Sequence, residues 1–201
     1  MWPYVENTLG TLLRSQRGRD EKLFRKGPAF ANLPDPSLSV TSPECGPSDS
    51  PMSSQHGKDG GNQFPTISWE LPKSDTEVKE YVLIVEDPDA PLPSPIAHGV
   101  YYAIPASTRS VEASSLEAVG SNEVKGGFKF GQNRMGNVYG GPRPVLGHGP
   151  HRYFYQVVAL REGVDQEGFA AAKATREELA RAIEGKVVAW GVWVGVFERK
   201  M

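Results

Sequence analysis

The 201-residue chain has a single cysteine, Cys45, so no internal disulfide can brace it. It has no apolar run approaching the roughly 18–20 residues of a membrane span. It has no surplus of either charge. Lys and Arg number 22 against 24 Asp and Glu, a net charge of −2, which argues against a general nucleic-acid binder. Residues 1–20 lack the basic start, continuous apolar stretch and small-residue cleavage site of a signal peptide, and there is no Asn-x-Ser/Thr sequon. A cytoplasmic location is the expectation. Walker A, GxGxxG, GxSxG and HExxH sequences are all missing, which sets aside nucleotide-binding, serine-hydrolase and zinc-protease readings. No cofactor is indicated. What the chain has in excess is glycine (22) and proline (17). Together they make about a fifth of the sequence, against roughly 12% in an average protein. Such punctuation excludes a long helical bundle and favours short strands joined by turns.

Apolar spacing places the elements. Val5, Leu9, Leu12 and Leu13 form a stripe that predicts an amphipathic helix over 5–16, and six basic residues follow between Arg14 and Lys26. The stripe reads either as a face packed on the body or, with those cations, as a peripheral contact with an anionic membrane surface. Residues 1–36 are taken as this helix and an extension, and 37–201 as the main domain. Within the domain, 42–62 is rich in Ser, Pro and Gly and is expected to be a flexible loop; it carries Cys45 and His56, to which the sequence assigns no role. Strands are expected at 81–85, 98–104, 152–160 and 187–197. In the last, Trp190 and Trp193 point to opposite faces, and Gly191 and Gly195 leave room for neighbouring aromatics. Thr175-Arg-Glu-Glu178 is a capping box that opens a helix ended by Gly185.

Three stretches place polar residues beside strands. Asp87-Pro-Asp-Ala-Pro91 follows the first strand and holds two carboxylates on a stiff turn, although Asp and Pro are also ordinary turn residues. His98 opens the next strand, where a period of two puts it on one face with Val100 and Tyr102. Tyr139-Gly-Gly-Pro142 and Gly147-His-Gly-Pro-His-Arg-Tyr153 supply glycines whose amides could meet an anion, and His151 shares its face with Tyr153. His148 and His151 with His98 and Asp87 also suggest zinc, but a Gly-Pro loop is not a zinc-binding helix, and no metal is assigned.

Taken in order and spacing, Phe64-Pro-Thr-Ile-Ser-Trp69, Asp87-Pro-Asp-Ala-Pro91, His98 and the two Gly-Pro stretches resemble the phosphatidylethanolamine-binding protein (PEBP) family over roughly residues 64–198. Lys125-Gly-Gly-Phe-Lys-Phe130 and the long N-terminal region are similar to its fungal branch. The resemblance implies a mainly β fold: an antiparallel β-sandwich with a Greek-key element and a few peripheral helices. It also implies a small pocket walled by Asp87, Asp89, Pro91, His98, Gly141, Pro142, His151 and Tyr153, which in this family holds phosphate, phosphorylated head groups or carboxylates. Gly99 stands where many relatives have an aromatic, which implies a wider pocket.

Two functions of different class follow. In one, the pocket captures a small anionic ligand or metabolite without changing it. In the other, suggested by fungal PEBP-like proteins that accompany the coupling of maleic-anhydride units into nonadrides, His98 or His151 is the base that deprotonates a carbon acid. No protein partner is indicated.

Overall fold

The computed structural model of the chain describes residues 2–70, 77–167, 169 and 173–200. Helix α1 (Trp2–Leu13) is followed by three 3-10 turns between Asp20 and Phe30. Then come β1 (Val40–Thr41), β2 (Ser50–Pro51), β3 (Ile67–Trp69), β4 (Glu80–Asp87), β5 (Ile96–Pro105), β6 (Ser110–Val111), β7 (Lys129–Phe130) and β8 (His151–Leu160). Helix α2 (Arg176–Ala182) and β9 (Val187–Phe197) close the chain. Each of the four expected strands lies within β4, β5, β8 or β9. The α2 capping box is present: the Thr175 hydroxyl accepts from the Glu178 amide at 3.1 Å, and the Thr175 amide donates to the Glu178 carboxylate at 2.7 Å.

Six strands form one sheet in the order β2-β9-β8-β4-β5-β7, antiparallel except where β2 meets β9. A three-stranded sheet, β1-β3-β6, covers one of its faces. Side chains along β4 alternate between the two faces. Tyr81, Leu83 and Val85 of β4 meet Tyr155 and Val157 of β8 under the small sheet, whereas Val82 and Ile84 meet Phe24, Phe30 and Leu179 on the helical side. Both faces of β4, β8 and β9 are therefore buried, which is why their sequences are mostly apolar, with Glu86 and Gln156 buried among them. Each large side chain so buried contributes about 1.5–3 kcal/mol. In β9, a Cβ on Gly195 would meet Met52 and the Trp193 ring, but one on Gly191 would come within 2.0 Å of the Leu38 carbonyl. Gly191 thus admits a crossing backbone, not an aromatic. Among the described residues no helix is long and apolar enough to cross a membrane.

Helix α1 departs from the expected packing. Trp2, Val5, Leu9 and Leu12 face outward, Leu12 at 73% exposure. The helix docks instead by Gly10, its buried residue, where a Cβ would lie 1.9 Å from the Leu146 carbonyl. Close backbone approach, not the apolar stripe, decides which side faces the body. Gly10→Ala is expected to push α1 off the 146–148 loop at a cost of about 1–3 kcal/mol. The check is a lower Tm, with loss of the contact between Leu13 and His148 seen by NMR.

Candidate functional site

The sheet order brings the C-terminal end of β4 between the starting ends of β8 and β5. Asp87, His151 and His98 are therefore gathered at one end of the sheet. Asp87 caps its own turn, its Oδ1 accepting from the amides of Asp89 (2.7 Å) and Ala90 (3.2 Å). Its Oδ2 faces His151 Nδ1 at 2.8 Å.

The pairing of β4 with β5 slips between Val85–Gly99 and Glu86–Ala97, leaving His98 as the extra residue of a bulge. The slip overturns the simple period. Val100 and Tyr102 pack on the helical side, but His98 turns to the opposite side, its ring 5.1 Å from that of Tyr153. Bulges commonly re-aim a side chain in this way beside a site.

Proton positions follow from the hydrogen bonds. The Leu13 carbonyl, 2.9 Å from His148 Nε2, can only accept, so Nε2 carries a proton. Burial, then His151 and Arg17, push the His148 pKa below its ordinary value, so the ring is neutral and its Nδ1 accepts. His151 Nε2 lies 2.7 Å from that atom and must donate to it. With Nδ1 facing Asp87 as well, both ring nitrogens of His151 are engaged. His98 is the reverse case. Its Nδ1–H donates to the Gly140 carbonyl, and burial holds its pKa down, so Nε2 presents a bare lone pair.

These groups line a cavity of about 370 Å³. It contains Asp87, Pro91, His98, Gly141, His151 and Tyr153 of the expected wall. Among the described residues, two buried polar atoms there have no hydrogen-bond partner, His98 Nε2 and Tyr153 Oη. Burial, with Asp87 nearby, raises the Tyr153 pKa well above its usual value, so the phenol keeps its proton. The cavity thus offers one acceptor and one donor. Lys58, Arg134 and Arg143 add positive charge at its edge, and Leu92, Ile96 and Val145 add apolar surface. Arg143 is paired with Asp59 at 2.9 Å.

Asp89 and Pro142 are not among the lining residues. Asp89 accepts from the Arg152 amide and guanidinium and from the Gly18 amide, while Arg152 also grips Asp20 with two bonds of 2.9 Å. Pro142 offers its carbonyl to the Lys58 amide at 2.9 Å. The amides of Gly140 and Gly141 are not free for an anion either: that of Gly140 donates to the His98 carbonyl (2.9 Å), and that of Gly141 to Asn62 (2.7 Å). Gly141 lets the 56–62 turn approach closely, and Gly99 makes space for the Tyr101 ring. Neither widens the cavity. Sequence reasoning missed Lys58, Arg134 and the role of His148, because no local pattern links them to β4 or β8.

The Asp89–Arg152 pair carries a pH signature. Burial raises the Asp89 pKa, but the hydrogen bonds and charge of Arg152 outweigh it and hold the carboxyl below 3.8. A lowered folded-state pKa contributes stability above the unfolded value, lost as pH falls through the folded one. Arg152→Gln is therefore expected to lower stability at neutral pH and to flatten its decline below about pH 4, measured by urea unfolding across that range.

A family model described as phosphatidylethanolamine-binding protein matches residues 44–198. The chain belongs to this family. Among curated proteins, this PEBP chain is 42% identical over 201 residues to "phomoidride biosynthesis cluster protein B" of the fungus Talaromyces stipitatus, covering 98% of this chain and 82% of that one. A second fungal protein of the same name is 39% identical over 198 residues, covering 96% and 94%. Among solved structures, the PEBP-family protein YbcL of Escherichia coli superposes with a TM-score of 0.66 at 25% identity, over 82% of this chain and 99% of that one. The mainly β PEBP architecture expected from the motifs is therefore the one adopted.

Proposed function

We propose that this PEBP-family protein works in the cytoplasm, binds a small, partly apolar anionic metabolite in the cavity, and uses His98 as a base on it in a step of fungal secondary metabolism. The observation that carries the reading is the pair of unpartnered buried atoms, His98 Nε2 and Tyr153 Oη, facing one cavity under a cationic edge. A carboxylate or anhydride oxygen would accept from the Tyr153 hydroxyl. With an alkyl-substituted maleic anhydride, His98 Nε2 would take a proton from the alkyl carbon attached to the ring, and the electron pair left behind would move through the ring double bond onto the carbonyl oxygen as a dienolate. His151, whose two ring nitrogens are already engaged by Asp87 and His148, has no nitrogen left to serve as the base. The relatives named for a phomoidride biosynthesis cluster support a role in secondary metabolism, and the resemblance to fungal PEBP-like proteins suggests a substrate of the anhydride or dicarboxylate class.

The same two atoms would also hold a phosphate monoanion unchanged, its P–OH donating to His98 Nε2 and another of its oxygens accepting from the Tyr153 hydroxyl, which is the binding-only reading. Titration with phosphate, acetate and citraconate, followed by 15N NMR of the imidazoles, tests both. Citraconate is expected to shift His98 and Tyr153 most, because it fills the apolar side as well. If none of the three moves either residue at saturation, the cavity is not an anion site.

A further inference from the structure

We propose that Glu44, Cys45 and His56 form a zinc-binding site in the segment that leads into the cavity. One ligand atom from each lies within 4.8 Å of the others. Cys45 Sγ and His56 Nε2 are 3.5 Å apart. A tetrahedral ion about 2.3 Å from sulfur and about 2.0 Å from nitrogen spaces those two ligands by about 3.5 Å.

The surroundings are those of a prepared ligand set. His56 is buried, and its Nδ1–H donates to the Gln63 carbonyl at 2.9 Å, which fixes the tautomer and leaves the Nε2 lone pair toward the thiol. Glu44 is held by the Thr66 amide, which donates to one carboxylate oxygen at 2.6 Å. The buried Ser42 hydroxyl sits beside Cys45. Metal binding to the thiol would release its proton. The Gln55 amide, 3.3 Å from His56 Nε2, would give way to the ion. One thiolate, one imidazole and one carboxylate suit zinc and not the oxygen-seeking Mg²⁺ or Ca²⁺. With Glu44 exposed, solvent reaches the fourth position.

Such an ion would tie residues 44–45 to the turn after His56. That turn supplies Lys58 to the cavity edge and Asn62 to the Gly141 amide.

The test is titration of chelator-treated, reduced full-length protein with Co²⁺, then with Zn²⁺ in competition with a chromophoric chelator. Wild type is expected to give a thiolate-to-cobalt charge-transfer band and a defined 1:1 zinc affinity. Cys45→Ser is expected to lose the band and to weaken zinc binding by more than the roughly 10–100-fold cost of losing a supporting partner. Glu44→Gln, an exposed change that leaves the fold intact, is expected to keep the band and weaken zinc binding at least tenfold. Wild-type protein that binds neither ion, cobalt binding without the thiolate band, or equal zinc affinity in Cys45→Ser and wild type would each overturn the proposal.

Discussion

Glu86→Ala is expected to destabilise the protein by about 3–5 kcal/mol, the cost of breaking a buried charged network by removing one partner. Glu86 is fully buried in β4, on the helical side of the sheet. Its Oε2 accepts from the Phe24 amide at 2.8 Å and from Gln156 Nε2 at 2.7 Å, and its Oε1 pairs with Arg176. One carboxylate thus joins four pieces of chain: β4, β8, the first residue of α2 and the 3-10 turn at Phe24. Alanine would leave a buried amide, a buried carboxamide and a largely covered guanidinium facing a void. Glu86→Gln keeps the volume but opposes an NH2 group to at least one of those donors, and should cost less. Urea unfolding should show both shifts as a lower midpoint with an unchanged slope. An effect below about 1 kcal/mol for Glu86→Ala would mean that water replaces the carboxylate without difficulty.

Glu86 was not legible in the sequence, and the reason is physical. It sits inside an apolar strand beside the Asp-Pro turn, and its partners lie 62 to 90 residues away. What could be read was what depends on near neighbours: the apolar runs that made β4, β8 and β9, and a capping box that made α2. Asp87, His98, His151 and Tyr153 were legible as a set because the family motifs preserve their order, although no single motif carries that information. Local periodicity failed where one residue changed the geometry. The bulge at His98 reversed its face, and Gly10 let α1 dock on backbone with its apolar stripe outward. The loop glycines were misread in the same sense: Gly141 and Gly147 serve close approach by the 56–62 turn and by α1. Lys58, Arg134 and His148 reach the site through tertiary contacts that leave no trace in spacing.

His98→Gln is expected to abolish base chemistry in the cavity while leaving the fold in place. The side chain is 8% exposed and its Nδ1–H bonds the Gly140 carbonyl, a contact that a glutamine amide can partly reproduce. Glutamine has no lone pair basic enough to take a proton from carbon. With an alkyl-substituted maleic anhydride or its diacid in D2O, wild type should speed deuterium incorporation at the carbon beside the ring, and His98→Gln should be slower by about 10²–10⁴-fold. Tyr153→Phe removes the donor to the developing oxyanion and should also slow exchange, by about 10²–10³-fold. The pH profile separates base from scaffold. Burial holds His98 below its ordinary 6.5, so exchange should rise with pH through a midpoint below that value and then level off. A profile that climbs through neutral pH without a plateau would point to hydroxide as the base. Unchanged exchange in His98→Gln would remove His98 from the chemistry and leave the cavity as a site of binding alone.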